Sequence, residues 1–198
     1  MSERDTICAL ASGQPPAAIC IIRLSGDAIW KLAGALLDCG LPEPRRATLT
    51  KFRDEDANLI DEGLALFMPG PHSYTGEDTL ELYLHGGPAV IEHAISTLIK
   101  EPNVRMAEPG EFTRRAFEAG KLDLTEAEGV ADIIEAETDA QKAQALRQLS
   151  GGLTEQYDRW RAELTGILAL IEVVVDFPDE DDAPEETTAP VLRKLNNL

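Results

Sequence analysis

Apolar and polar positions alternate in short runs over the first 107 residues, and the period then changes. Thr6–Leu10 and Ala18–Leu24 read as strands, and Asp27–Leu37 reads as a helix opened by Ser25 or Gly26. Ala47–Arg53 and Leu59–Met68 are predicted to be two further strands, Glu77–Leu84 a strand, Ala89–Ile99 a helix and Val104–Ala107 a last strand. Around Glu81 the period of two is clean. Leu80, Leu82 and Leu84 point to one face, which is core, while Thr79, Glu81, Tyr83 and His85 point to the other.

From residue 108 onward the pattern is helical almost throughout. Pro109 and Gly110 break the preceding extended run. The next residues read as a helix with Phe112 and Phe117 turned inward, stopped by Gly120. Leu122 and Leu124 read as buried. Thr125 is the expected N-cap, with Glu128 completing a capping box before an apolar face of Val130, Ile133 and Ile134. Lys121 therefore lies on a short connector pinned by helices on both sides, where its ammonium can meet an anion instead of sweeping through solvent. Leu146, Leu149, Leu153, Tyr157, Trp160, Leu164, Ile167, Ile171 and Val174 step by three or four and form one seam that packs against other helices. Gly151 and Gly152 interrupt the run, each at ~1 kcal/mol relative to Ala. The seam keeps phase across them, which predicts one continuous helix over 138–175, roughly 55 Å long at 1.5 Å per residue. Asp176, Pro178 and an acidic run to Glu186 end it, and a new helix is expected over Ala189–Leu195.

The fold class is therefore α+β: a small mixed α/β domain followed by a long-helix helical domain. The boundary falls within 108–120, dividing the chain into residues 1–118 and 119–198. With 43% hydrophobic residues the 198-residue chain has ample material for a packed core. Its formal charge of −18, from 36 acidic and 18 basic residues, argues against binding nucleic acid by phosphate neutralisation, which requires clustered Lys and Arg. Cys8, Cys20 and Cys39 are odd in number and widely spaced in apolar surroundings, so buried free thiols are expected in place of a disulfide framework or a metal or redox motif. His72, His85 and His93 are not at metal-ligand spacing, and the acidic run has no EF-hand pattern. The start lacks a leader pattern, and the most apolar window, Ile167–Val175, is too short to span a bilayer, which points to the cytoplasm.

Three segments carry a resemblance. They are PGEFTRRAFEAGKLDLTEAEGVADII from Pro109, TGEDTLELYLHGGPAVIE from Thr75, and IEVVVDFPDED from Ile171, preceded by DTICALAS and by IIRLSG around Arg23. Together, in this order, the chain resembles the MnmE (TrmE) family of tRNA-modification GTPases from about Asp5 to Asp182. The resemblance implies an amino-terminal domain that dimerises and binds a one-carbon tetrahydrofolate, in the 5-formyl or 5,10-methylene form. The matching cofactor-binding positions are Arg23, Glu81 and Lys121. The residues themselves suit that ligand. A carboxylate at Glu81 can accept the two donors along one edge of a pterin, at ~1.5–3 kcal/mol per charge-assisted bond. Two cations suit the polar edge or the anionic tail, without a division of roles between them. One departure is the stiff turn Ser12–Ala18, rich in proline where the family carries glycine, which removes flexibility from any contact that turn makes.

The resemblance further implies that GTP hydrolysis, with Mg and K, is coupled to modification of the wobble uridine of tRNA at carbon 5, in concert with an MnmG-like flavoprotein and without a membrane. No GxxxxGK[ST] phosphate loop occurs in the 198 residues, so this chain is not expected to hydrolyse GTP by itself. The protein is expected to position the carrier without acting as nucleophile, and neither catalytic nor metal residues are assigned. Two other readings stand beside this one: a dimerising assembly module without ligand, and a stand-alone folate-dependent aminomethyl or formyl transferase. The last needs its own acid or base, and no Asp or His is singled out for that role.

Overall fold

The computed structural model describes residues 5–176, with side chains described to Glu172. The acidic run beyond Asp176 and the helix expected over Ala189–Leu195 lie outside the described residues. The chain divides into two compact units, one up to Leu122 and one from Asp123.

The first unit is a six-stranded sheet. In chain order its strands are β1 (Thr6–Leu10), β2 (Ala17–Ser25), β3 (Thr48–Arg53), β4 (Leu59–Met68), β5 (Thr79–Gly86) and β6 (Val104–Met106), arranged β3-β4-β5-β2-β1-β6. All neighbours are antiparallel except β1 and β6. Alternation sends Cys20, Ile22 and Leu24 of β2, Leu80, Leu82 and Leu84 of β5, and Ala65 and Phe67 of β4 to one face. There they form the core with Ile29, Leu32, Ala33 and Leu36 of α1 (Ile29–Leu36) and Ile91, Ala94 and Leu98 of α2 (Pro88–Leu98).

The start of α1 differs from expectation. Neither Ser25 nor Gly26 caps it. Ala28 stands at the N-cap without a side-chain bond, and its own N–H donates to Thr6 Oγ1 at 2.8 Å, on a strand that local sequence rules do not connect to it. Ser25 is committed elsewhere, to Thr75 and Glu77.

Helix α3 (Glu111–Glu118) follows Gly110, which adopts φ +75°, and ends before Gly120 at φ +66°. Its inward residues are Glu111, Arg115 and Ala116; Phe112 is half-buried and Phe117 is exposed, against the expectation that both rings face inward. A purely hydrophobic reading could not detect a helix whose buried face carries a compensated ion network. Leu122 is half-buried and Leu124 exposed, where both were expected to be buried.

In the second unit, α4 (Leu124–Glu135) is capped by Asp123 in a reciprocal box with Glu126, two residues ahead of the predicted pair Thr125 and Glu128. The Thr125 hydroxyl instead donates to Asp123 Oδ1 at 2.9 Å and pairs with Thr154. On the expected apolar face Val130 and Ile133 are half-buried and Ile134 is exposed. The predicted continuous helix is two helices, α5 (Asp139–Leu149), capped by Thr138 with Gln141, and α6 (Gly152–Asp176). Gly151 separates them at φ +77°, while the N–H groups of Ser150 and Gly151 turn back to the carbonyls of Leu146 and Gln148. Phase alone does not maintain a helix through a residue free to adopt the left-handed conformation. At Gly129 of α4 an added Cβ would come within 3.1 Å of Gln148 Cβ and of the Leu149 N, so the missing side chain lets α4 and the end of α5 approach closely. Of the seam, Ile167 is buried, while Leu146, Tyr157, Trp160, Leu164 and Ile171 are exposed. No helix among the described residues is long and apolar enough to cross a membrane.

Candidate functional site

The sheet face opposite the core holds the polar positions of β2 and β5. Arg23 and Glu81 are direct cross-strand partners, and their side chains therefore rise from the same face on adjacent strands. The Arg23 Nε donates to Glu81 Oε1 at 2.8 Å, and Nη2 lies 2.8 Å from the same oxygen. The Tyr83 hydroxyl, two residues along β5, donates to the other oxygen, Oε2, at 2.7 Å. The Glu81 hydrogen bond holds the Tyr83 phenol above its ordinary value, and burial adds to this. Glu81 is 7% exposed, so it is a buried carboxylate with two committed partners and not a solvated group on a polar strand face.

Two aromatic rings flank the arginine. The guanidinium carbon of Arg23 lies 5.6 Å from the centroid of Tyr74 and 5.7 Å from that of Phe112. Tyr74 belongs to the segment 69–78 between β4 and β5, and Phe112 to the first turn of α3. The Tyr74 hydroxyl and Thr113 Oγ1 pair at 2.9 Å, tying that segment to the helix.

Lys121 reaches the same segment from the far end of α3. Its Nζ donates to the Pro71 carbonyl at 2.8 Å, and its N–H donates to Ala116 O at 2.9 Å, fixing the connector to the helix end. Gly76, at φ +81°, leaves the passage clear, because a Cβ there would stand 3.1 Å from the Ala119 Cβ and 3.8 Å from the Lys121 Cγ. Among the three residues singled out from sequence, Arg23 and Glu81 are thus in contact. Lys121 joins them indirectly, through segment 69–78, which holds its ammonium and presents Tyr74 to Arg23, and through α3, which carries Phe112 against Arg23.

Sequence reasoning did not identify Tyr74, Pro71, Glu77 or Arg115 as parts of this neighbourhood. Tyr74 and Pro71 carry no local signal, since a loop aromatic and a backbone carbonyl look alike everywhere in a sequence. A buried arginine on α3 was available in principle from its spacing of four from Glu111, which puts the two charges on one helix face.

The arrangement offers a chemically specific surface. Each carboxylate oxygen has two lone-pair directions; Oε1 is met by both Nε and Nη2 of Arg23 and Oε2 by the Tyr83 hydroxyl, so one direction, on Oε2, remains for a ligand N–H, and a second adjacent donor reaches Oε1 by displacing an Arg23 contact. Positive charge comes from the guanidinium of Arg23, against Glu81, and from the exposed ammonium of Lys121, against the Pro71 carbonyl.

Comparison with known proteins gives the family. Residues 6–121 match the family described as GTP-binding protein TrmE N-terminus, and residues 124–198 match the MnmE helical domain. Similar proteins include tRNA modification GTPase MnmE of Hyphomonas neptunium, 70% identical over all of this chain and 45% of that protein's length. The namesakes from Rhodopseudomonas palustris and Maricaulis maris are 51% and 48% identical, each over 98% of this chain and 44% of the relative. The chain spans less than half the length of these curated relatives.

Proposed function

The chain belongs to the MnmE (TrmE) family, and from that premise we propose that its first unit binds a one-carbon tetrahydrofolate through Glu81, Arg23 and Lys121. The observation that carries the reading is the buried Glu81 carboxylate, held by Arg23 and Tyr83 with one acceptor direction left on Oε2. Glu81 accepts the paired donors of a pterin edge, and the cations meet the polar edge or anionic tail. When bound, the folate supplies the one-carbon unit. The residues of this chain orient the carrier and shield its ring from water, and none of them acts as nucleophile.

In the whole protein the one-carbon unit is used for carbon-5, carboxymethylaminomethyl-type modification of the tRNA wobble uridine in the cytoplasm. GTP hydrolysis, with Mg and K, takes place elsewhere in the polypeptide, and an MnmG-like flavoprotein takes part. The charge of −18 supports assigning most tRNA contact to other surfaces.

Homodimerisation through the first unit is part of the same proposal. The uncovered half of the site-bearing sheet face carries an in-register ladder of Leu49, Leu64, Tyr83 and Ile21 across β3, β4, β5 and β2. Leu49 and Leu64 are exposed, as is Ile19 at the head of β2. A row of this kind ends naturally against another apolar surface. The same row favours the second reading, an assembly module without ligand.

Titration calorimetry with 5-formyltetrahydrofolate tests the proposal. Saturable binding is expected, weakened about ten- to a hundred-fold in Glu81→Gln and in Lys121→Ala, as the loss of one charge-assisted contact predicts. Absence of saturable heat, or unchanged affinity in both variants, rejects the site and leaves the assembly reading.

A further inference from the structure

We propose that Arg115, which does not contact Arg23, Glu81 or Lys121, is the positioning residue that holds segment 69–78 in its binding-competent arrangement. The proposal rests on the folate reading for its functional consequence.

Segment 69–78 makes three contributions to the site: the Pro71 carbonyl bonded by Lys121, the Tyr74 ring beside Arg23, and the clearance at Gly76. It is a loop without strand or helix pairing of its own, so its shape depends on side chains that tie it down. Arg115 supplies a tie that also reaches Asp5, just ahead of β1. Its Nη1 donates to Glu77 Oε2 at 3.0 Å and to the Asp5 carbonyl at 2.9 Å, and its Nη2 donates to Asp5 Oδ1 at 2.7 Å. One planar group thereby joins α3 to the start of β1 and to the loop, and its side chain is 7% exposed.

The Glu77 carboxylate passes the connection onward. Ser25 Oγ donates to its Oε2 at 2.7 Å and pairs with Thr75 Oγ1 at 2.7 Å in the interior, so the end of β2, the loop and α3 are connected through one buried polar cluster. The helix that carries Arg115 also carries Phe112 and Thr113, and Lys121 follows its end. A loss at Arg115 therefore loosens the loop relative to the helix and misaligns Lys121, Tyr74 and Arg23 together, without removing any group that touches ligand.

Two charged neighbours argue that the tie is specific to Arg. Glu111, four residues earlier on α3, lies 3.7 Å from Arg115 Nη2, and its own carboxylate is already bonded by Arg105 through two nitrogens. A lysine at 115 would retain the charge but present a single point donor, unable to span Asp5 and Glu77 together.

The test uses the full chain with Arg115→Lys, Arg115→Gln, Glu77→Gln and the Arg115→Gln/Glu77→Gln double variant, read in two ways. Hydrogen exchange without ligand is expected to accelerate about ten-fold or more at amides of segment 69–78 in Arg115→Gln, and less in Arg115→Lys, while the β2 and β5 amides stay protected. Calorimetry with 5-formyltetrahydrofolate is expected to show about ten-fold weaker binding in Arg115→Gln, with the double variant no worse than the poorer single one, as coupled members of one network require. Unchanged exchange in the segment, exchange raised uniformly across the sheet, or additive losses in the double variant would each overturn the proposal. Should Arg115→Gln not fold, Thr113→Val, which removes the neighbouring tie to Tyr74, is read in the same way beside Arg115→Lys. If the wild-type chain binds no folate the functional reading fails on its own, and the exchange pattern still decides whether Arg115 holds the segment.

Discussion

Replacing Glu111 with glutamine isolates a single carboxylate whose environment is fully specified. Glu111 is 2% exposed and accepts from Arg105 Nη1 at 2.8 Å and Nη2 at 2.5 Å, from Arg114 at 3.2 Å and from the Glu108 N–H at 2.7 Å. The Arg105 hydrogen bonds dominate its ionisation. Burial opposes them, and the Glu108 N–H with the charges of Arg105 and Arg115 adds to them, so the carboxyl lies at about 2, against an ordinary value of 4.5. A gap of that size corresponds to about 3 kcal/mol of folding free energy at neutral pH. Arg105 is 42% exposed, and solvent screens part of the interaction, which brings the expected observable to about 1–2 kcal/mol. The sign follows from proton counting. Below its ordinary value the unfolded chain has taken up the proton while the native one has not, so the stabilisation is complete above about pH 4.5 and is lost as pH falls through about 2. Urea unfolding followed by circular dichroism, from about pH 7 to about pH 3, should show wild type more stable than Glu111→Gln, with the difference shrinking toward acid pH. Carboxylates titrating in both proteins cancel in that difference. A difference independent of pH, or no difference at neutral pH, would refute the electrostatic account of the Glu111 site.

Thiol labelling should distinguish the cysteines: Cys39 is exposed, Cys8 and Cys20 are buried, and burial pushes the Cys8 thiol up to about 11. One thiol should react rapidly with a maleimide in native buffer and all three after denaturation, and rapid native reaction of two or more would contradict the placement of β1 and β2. Leu64→Lys places a charge in the middle of the exposed ladder on β4, and light scattering at high protein concentration should then report monomer where the wild-type chain reports dimer. An unchanged dimer mass in that variant would move the interface away from this face.

The strands of the first unit were legible because each is a short alternating run whose buried face needs no distant information. Leu59–Met68 coincides with β4 as read, and the Leu80, Leu82, Leu84 alternation gave both the core face of β5 and the side on which Glu81 stands. Thr6 caps α1 from another strand, Asp123 displaces Thr125 as the cap of α4, and Gly151 divides a run whose periodicity was unbroken. In the first two cases several arrangements satisfied the local rules, and a contact from another part of the chain, Thr6 with the Ala28 N–H and Thr154 with Asp123, selected among them, whereas at Gly151 the left-handed backbone itself ended the helix.

The amino-acid sequence by itself determined the class of architecture, the core positions of the sheet and the candidacy of Arg23, Glu81 and Lys121, since period, charge and resemblance are all carried along the chain. Only the tertiary structure decided that β2 lies beside β5 in the register that sets Arg23 against Glu81, 58 residues away, and that an arginine on α3 turns inward to hold a loop. The physical reason is that strand register and buried charge pairing are set by the simultaneous satisfaction of hydrogen bonds between remote segments, a constraint that exists only once the sheet has closed.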